Sequence, residues 1–112
     1  MKLLVIVMNE RDLVADVVSA LVELDVRGIV SMESESVMVF LAQEVPIFAG
    51  LRELITSPKA YNKTMFGITD NENILNDLYT MLKQIGIDLK TPGMGYAFTV
   101  PIEQGIMESL EE

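Results

Sequence analysis

Histidine and cysteine are both missing from the 112 residues, which removes the commonest general base, the thiol nucleophile and the imidazole or thiolate metal ligands. An enzyme would have to work with carboxylates or lysine, and no two carboxylates are spaced along one strand or helix so as to share a site. The sequence therefore reads as non-enzymatic. Eight methionines invite a thioether copper site, but Met8, Met65 and Met81 fall at core positions of two strand-like runs and a helical one, where methionine serves as filler. Glu33, Glu35 and the acidic tail 103–112 offer ligands to a hard cation; carboxylates on a strand end or tail are ordinarily a solvated face, and no metal is assigned. The remaining feature is Gly93-Met94-Gly95 after Pro92. Two glycines ahead of a strand either make a tight turn or point backbone N–H groups into an anion-binding concavity.

Composition narrows the partners. Seventeen acidic against eight basic residues give a net charge of -9, which repels polyanions and lacks the basic footprint of a nucleic-acid binder. Half of the residues are apolar, enough for one compact domain over residues 1–112. The apolar start, Leu3 to Met8, is shorter than a signal-peptide core, and no run approaches the roughly 20 residues of a membrane span. The absence of cysteine fits a reducing compartment, so a soluble cytoplasmic protein is expected.

The elements that must carry these residues come in two similar halves. Leu3 to Met8 is apolar on both alternating sets, as in a central strand buried on both faces. Asn9 is placed to cap a helix with Asp12 at its third position and a stripe of Leu13, Val14, Val17, Val18, Leu21 and Leu24, with Gly28 as its stop. Ile29 to Ser36 reads as a strand that becomes polar as it proceeds. The second half repeats the series: strand Thr64 to Thr69, a helix capped by Asp70 with the stripe Ile74, Leu75, Leu78, Met81, Leu82 and Ile85, then Gly86, the turn 90–95 and strand Tyr96 to Val100 closed by Pro101.

Two strand-helix-strand units predict an α+β, ferredoxin-like βαββαβ sandwich, an antiparallel sheet with two helices on one face. Two helices shield only one face of the apolar central strand, so further copies of the chain are expected to close the other. Between the halves lies an insert, residues 37–63, between strands two and three. Its six apolar residues, Val37 to Ala42, precede Pro46 at a first helical position. Ile47, Phe48, Leu51, Leu54 and Ile55 then recur at helical spacing, ending before Ser57-Pro58, with a loop over 59–63. Arg52 and Glu53 lie on the polar side. This short helix either packs on its own assembly or forms a docking surface that opens when ligand binds.

The helix end and strand from Ala20 to Met32 (ALVELDVRGIVSM), the second half, and the Gly-x-Gly ahead of the last strand resemble the P-II family of nitrogen-regulatory signal proteins, over nearly the whole chain. The segments EVPIFAGLREL, YNKT and PGMGYAFTVPIEQG are similar to those of a small bacterial P-II-like subgroup. The resemblance implies a homotrimer that holds ATP or ADP between neighbouring subunits. The base would lie near Gly28, Ile29 and Val30, and the phosphates near Gly93 and Gly95. Two departures bear on that. The family's lysine after the second glycine is Tyr96 here, and its arginines past the last strand are replaced by Ile102, Glu103, Gln104 and Gly105. Lost cations leave a triphosphate poorly offset, with Lys90 and Arg27 as partial substitutes, so another small ligand, or none, stands beside the nucleotide.

The resemblance also implies signalling: a small metabolite is sensed at subunit clefts and reported to a partner such as a membrane transporter. The family's target-docking loop corresponds to the insert, so Pro46, Ile47, Phe48, Leu51 and Arg52 are the candidate docking residues. Tyr61, near its end, carries no modification motif. The alternative from another class is a ferredoxin-like dimeric-barrel enzyme or small-ligand-binding protein, which the missing histidine disfavours; a purely structural assembly subunit is a third.

Overall fold

The computed structural model describes residues 1–37, 41, 44–51 and 61–108. Four strands, β1 (Lys2–Met8), β2 (Arg27–Glu35), β3 (Tyr61–Thr69) and β4 (Gly95–Pro101), form one antiparallel sheet in the order β2-β3-β1-β4. Among the described residues, two helices, α1 (Val14–Glu23) and α2 (Ile74–Gln84), join the sheet in an α+β arrangement compatible with a ferredoxin-like sandwich.

β1 occupies the middle because it is apolar at every position from Leu3 to Met8. One alternating set, Leu4, Ile6 and Met8, joins a single buried cluster with Val17, Ala20 and Leu21 of α1, Met65 of β3, and Ile74, Leu78 and Leu82 of α2. Both helices therefore cover the same side of the sheet. The other set, Leu3, Val5 and Val7, sits opposite Ile68, Phe66 and Thr64 on β3 and Val100, Phe98 and Tyr96 on β4. Val30 and Met32 of β2 extend the row beside Phe66 and Thr64. This second face stands open: Val30, Phe98 and Tyr96 are 54, 43 and 57% exposed. It turns polar towards the insert, where the Ser34 hydroxyl meets the Asn62 carbonyl at 3.2 Å and the Thr64 hydroxyl at 3.0 Å.

Several boundaries differ from the sequence reading. Asn9 does not cap α1; the helix is entered through a 3-10 turn, Arg11–Leu13, with no side-chain cap, and Asn9 is used elsewhere. The residue that ends α1 is Asp25, left-handed at φ 59°, whereas Gly28 (φ 62°) lies inside β2 at a register shift between Arg27 and Val30. β2 accordingly starts two residues earlier than predicted. β3 starts at Tyr61 and not at Thr64, because Tyr61, Asn62 and Lys63 pair with Glu35, Ser34 and Glu33; the loop expected over 59–63 is strand from 61 on.

Asp70 does not cap α2 either. Its carboxylate lies 3.4 Å from the Met1 amine, while Asn71 makes the turn, its side-chain oxygen accepting the Asn73 N–H at 2.8 Å before the helix begins at Ile74. Of the predicted stripe, Ile74, Leu78 and Leu82 are buried, but Leu75 and Ile85 are exposed. Gly86 does close the helix, at φ 87°. In the insert, Pro46–Leu51 forms a 3-10 helix starting at the predicted proline, with Ile47 83% exposed. Residues 38–40, 42–43 and 52–60, including Arg52, Leu54 and Ile55, lie outside the described residues, as do the side chains of Phe48 and Leu51.

Candidate functional site

The loop from α2 to β4 is built by its own hydrogen bonds. After Gly86 the chain turns back, the Ile87 N–H donating to the Leu82 carbonyl at 2.9 Å and its side chain entering the core. Asp88 then organises the turn: its carboxylate accepts the Lys90 N–H at 2.9 Å and its carbonyl accepts the Thr91 N–H at 3.0 Å. The Met94 N–H donates to the Thr91 carbonyl at 3.1 Å. Three of the loop's amides are thus spent internally, which weighs towards the tight-turn reading of the Gly-x-Gly.

Asn9 ties this loop to the end of β1. Its amide N–H donates to the Met94 carbonyl at 2.9 Å and its side-chain Nδ2 to the Gly93 carbonyl at 3.2 Å. Gly95 has a packing reason of its own: at φ 146°, a Cβ there would stand 2.1 Å from the Val7 carbonyl oxygen. β4 can start against β1 only through glycine. The sequence alone offered the turn but not this close approach, since it depends on which strand becomes the neighbour.

Between α2, this loop and the edge of β4 opens a cleft of about 370 Å³. Lys90, Gly95 and Tyr96, all candidates from the sequence, line it together with Leu75, Asn76, Leu78, Tyr79, Leu89 and Ala97. The Lys90 ammonium lies 4.7 Å from the centre of the Tyr79 ring, and that of Lys83 reaches the same ring at 5.6 Å. The Lys90 backbone N–H, and then Tyr79 and the two lysines, hold the Asp88 carboxyl below its usual range. Partial desolvation, reinforced by Asp88, pushes the Tyr79 phenol above its own. Sequence reasoning passed over Tyr79, although Tyr79 and Lys83 stand four apart on α2, a spacing that puts the two side chains on one helical face.

The other half of the candidate set lies far away in the sheet. Gly28, Ile29 and Val30 belong to the edge strand β2, at the end where Arg27 pairs with Ile68 near the finish of β3. Gly95 and Tyr96 belong to the opposite edge strand, β4, at the end where Gly95 pairs with Met8. Since Lys2 at the start of β1 pairs with Thr69, the two groups occupy opposite edges and opposite ends of one sheet. Within a single chain they do not meet. Arg27 falls with the first group and Lys90 with the second, so they do not converge on one anion there.

On the helix-covered side, Glu33 of β2 pairs with Arg11 and lies 3.7 Å from the Lys63 ammonium. Its charge is therefore balanced within the surface. Among the described residues no group of three or more acidic side chains is gathered as a metal site would require, and no helix is long and apolar enough to cross a membrane. The cleft beside Tyr79 and Lys90, with apolar walls and a cationic rim, is suited to holding a small anion and shows no nucleophile-base pair for chemistry on it. No protein-family model matches this chain, and no curated protein matches it.

Proposed function

We propose that the chain is a non-enzymatic, P-II-like regulatory protein. Its fold is the ferredoxin-like βαββαβ sandwich with a partly helical insert, and it acts in the cytoplasm as a homotrimer that senses a small metabolite at clefts between subunits. The insert 37–63 reports occupancy to a partner such as a membrane transporter, through Pro46, Ile47, Phe48, Leu51 and Arg52.

One observation carries this reading. The two halves of the ligand set sit at opposite corners of a sheet whose uncovered face is apolar from Val30 to Val100. Packing copies against that face removes the apolar surface from water and gives the β2 corner of one copy the chance to face the β4 corner of the next. A shared cleft needs both. Metabolite binding across two chains would then bias their relative position and, with it, the insert.

Native mass spectrometry of the purified full chain tests the proposal. Three copies with a retained small molecule, and a thermal shift on adding ATP, ADP or an organic acid, are expected. Three copies that neither retain nor respond to any small molecule would leave an assembly subunit and remove the sensor.

A further inference from the structure

We propose that the outer edge of β4, with the groove between it and α2, is the docking site for the acidic segment 106–112 of a second copy. The segment adds to the sheet there as an extended fifth strand. This rests on the reading that the chain self-associates and goes beyond it, naming a second contact at the edge and on the helix side of the sheet, separate from the open face.

The hydrogen-bonding groups of this edge can be assigned. Among the described residues β4 is the outermost strand on its side, with β1 as its neighbour. The Asn9 N–H donates to the Met94 carbonyl at 2.9 Å and the Ile102 N–H to the Met1 carbonyl at 3.0 Å, so the ladder runs past both ends of β4 in one register. Bonded pairs alternate along an antiparallel ladder. Tyr96, Phe98 and Val100 therefore direct their N–H and C=O groups to β1, and Gly95, Ala97 and Thr99 direct theirs outwards. Pro101 is next in the outward set, where a missing N–H costs the ladder nothing. An unpaired row of this kind is a template for another strand. Gly95, Ala97 and Thr99 lie opposite Met8, Ile6 and Leu4, on the side of the helices, and their small side chains leave the groove open. The cleft of about 370 Å³ meets a second recess of about 250 Å³ at Leu75 and Asn76, which reaches Ile74 and Thr99.

The occupant follows from charge and from what the segment lacks in its own copy. Residues 103–112 carry Glu103, Glu108, Glu111 and Glu112 and no cation. At the Gly95 end of the groove the Lys83 and Lys90 ammoniums gather on the Tyr79 ring, and among the described residues no carboxylate lies within ion-pair distance of either. On a chain of net charge -9, this is a place where an acidic arm is drawn in and not repelled. Extended, the arm puts Ile106, Glu108, Leu110 and Glu112 on one face, with apolar side chains to meet Leu75, Leu78 and Leu89 and carboxylates to meet the lysines. Its own copy supplies none of these contacts to the described part of the arm. Residues 102–108 form no ladder with β4, and the Ile106 side chain stands fully exposed.

Because the chain has no cysteine, disulfide cross-linking of full-chain variants tests this contact directly. Chains with Leu75→Cys, where the two recesses meet, are mixed with isotope-labelled chains carrying Ile106→Cys or Leu110→Cys and oxidised with diamide. Mixed cross-links are expected, well above those given by Val22→Cys, exposed on α1 and outside the groove. Thr99→Pro removes an outward N–H without touching the β1 ladder, and should cut the mixed product roughly tenfold while the amide shifts of β1 stay in place. Lys83→Gln combined with Lys90→Gln should lower it as well, as should high salt. The inference is overturned if Leu75→Cys gives no more mixed product than Val22→Cys, or if folded Thr99→Pro protein cross-links as the parent does. It is overturned too if a chain carrying both cysteine substitutions closes on itself while mixed chains do not, the mark of an arm folded back on its own copy. The open-face reading fails separately: mixed product that survives Phe98→Glu supports exchanged arms without face packing. An oligomer that Phe98→Glu breaks up and that gives no mixed product would overturn the arm and leave the face contact standing.

Discussion

The two faces of the sheet are made of the same kinds of residue and meet opposite fates. On one, Leu4, Ile6, Met8 and Met65 are sealed beneath α1 and α2 with essentially no exposure. On the other, Val30, Met32, Tyr96, Phe98 and Val100 remain open to water although their neighbours Val5 and Val7 are buried between them. Among the described residues, α1 and α2 cover one face of the sheet, and the second face, equally apolar in its row, is exposed. The association proposed above rests on this open apolar row.

The comparison is broken first at the covered face. Leu78→Ala removes a fully buried side chain from the cluster joining both helices to β1 and should cost about 2–5 kcal/mol, measured by denaturant unfolding. Next, Gly95→Ala sets a Cβ against the Val7 carbonyl oxygen at a left-handed φ, and roughly 2 kcal/mol or more should be lost as β4 is pushed off β1. Reduced amide protection confined to β4 and the loop before it would distinguish this from global unfolding.

Val30→Ala sharpens the comparison. With the open face bare, an exposed valine on an edge strand should change stability by less than about 0.5 kcal/mol. Covered by a sister copy, the same change should cost about 1 kcal/mol or more and make the melting temperature depend on protein concentration.

The smallest effects are electrostatic. Asp88 binds its proton more weakly folded than unfolded, so its contribution is present above the unfolded value of about 3.9 and fades as pH falls through the lower folded value. Tyr79 has the opposite sign: its raised phenol favours the folded state below about pH 10, and this is lost as pH rises through the folded value. Both groups are only half-buried, so a direct nuclear magnetic resonance titration is the appropriate check; Lys90→Gln should leave the Asp88 displacement largely in place, since a backbone N–H is its main cause.

What the sequence made legible was what depends on periodicity. The double apolar alternation of Leu3 to Met8 placed β1 in the centre, and the spacing of Ile74, Leu78 and Leu82 placed α2 over it. Positions decided by tertiary neighbours were not legible. Asn9 and Asp70 are good capping residues by type, yet one finds the Gly93 carbonyl and the other the chain's own amine, partners that exist only after the sheet has formed. Gly28 read as a helix stop because Asp25, three residues earlier, takes the left-handed turn that glycine usually supplies. For the candidate site, Lys90, Gly95 and Tyr96 were legible through the glycine-rich turn. Tyr79, Leu75 and Leu89 were not, because only the packing of α2 beside an edge strand brings them to the same cleft.

The claim on which the regulatory account stands is that sister molecules seal the apolar side of the sheet. Sedimentation velocity at low micromolar concentration, on the wild type and on Phe98→Glu, addresses it directly. The account predicts a closed oligomer for the first, and smaller, still folded species once a charge is placed in the middle of that surface. A wild type that sediments as a single folded chain, unchanged by Phe98→Glu, would contradict it.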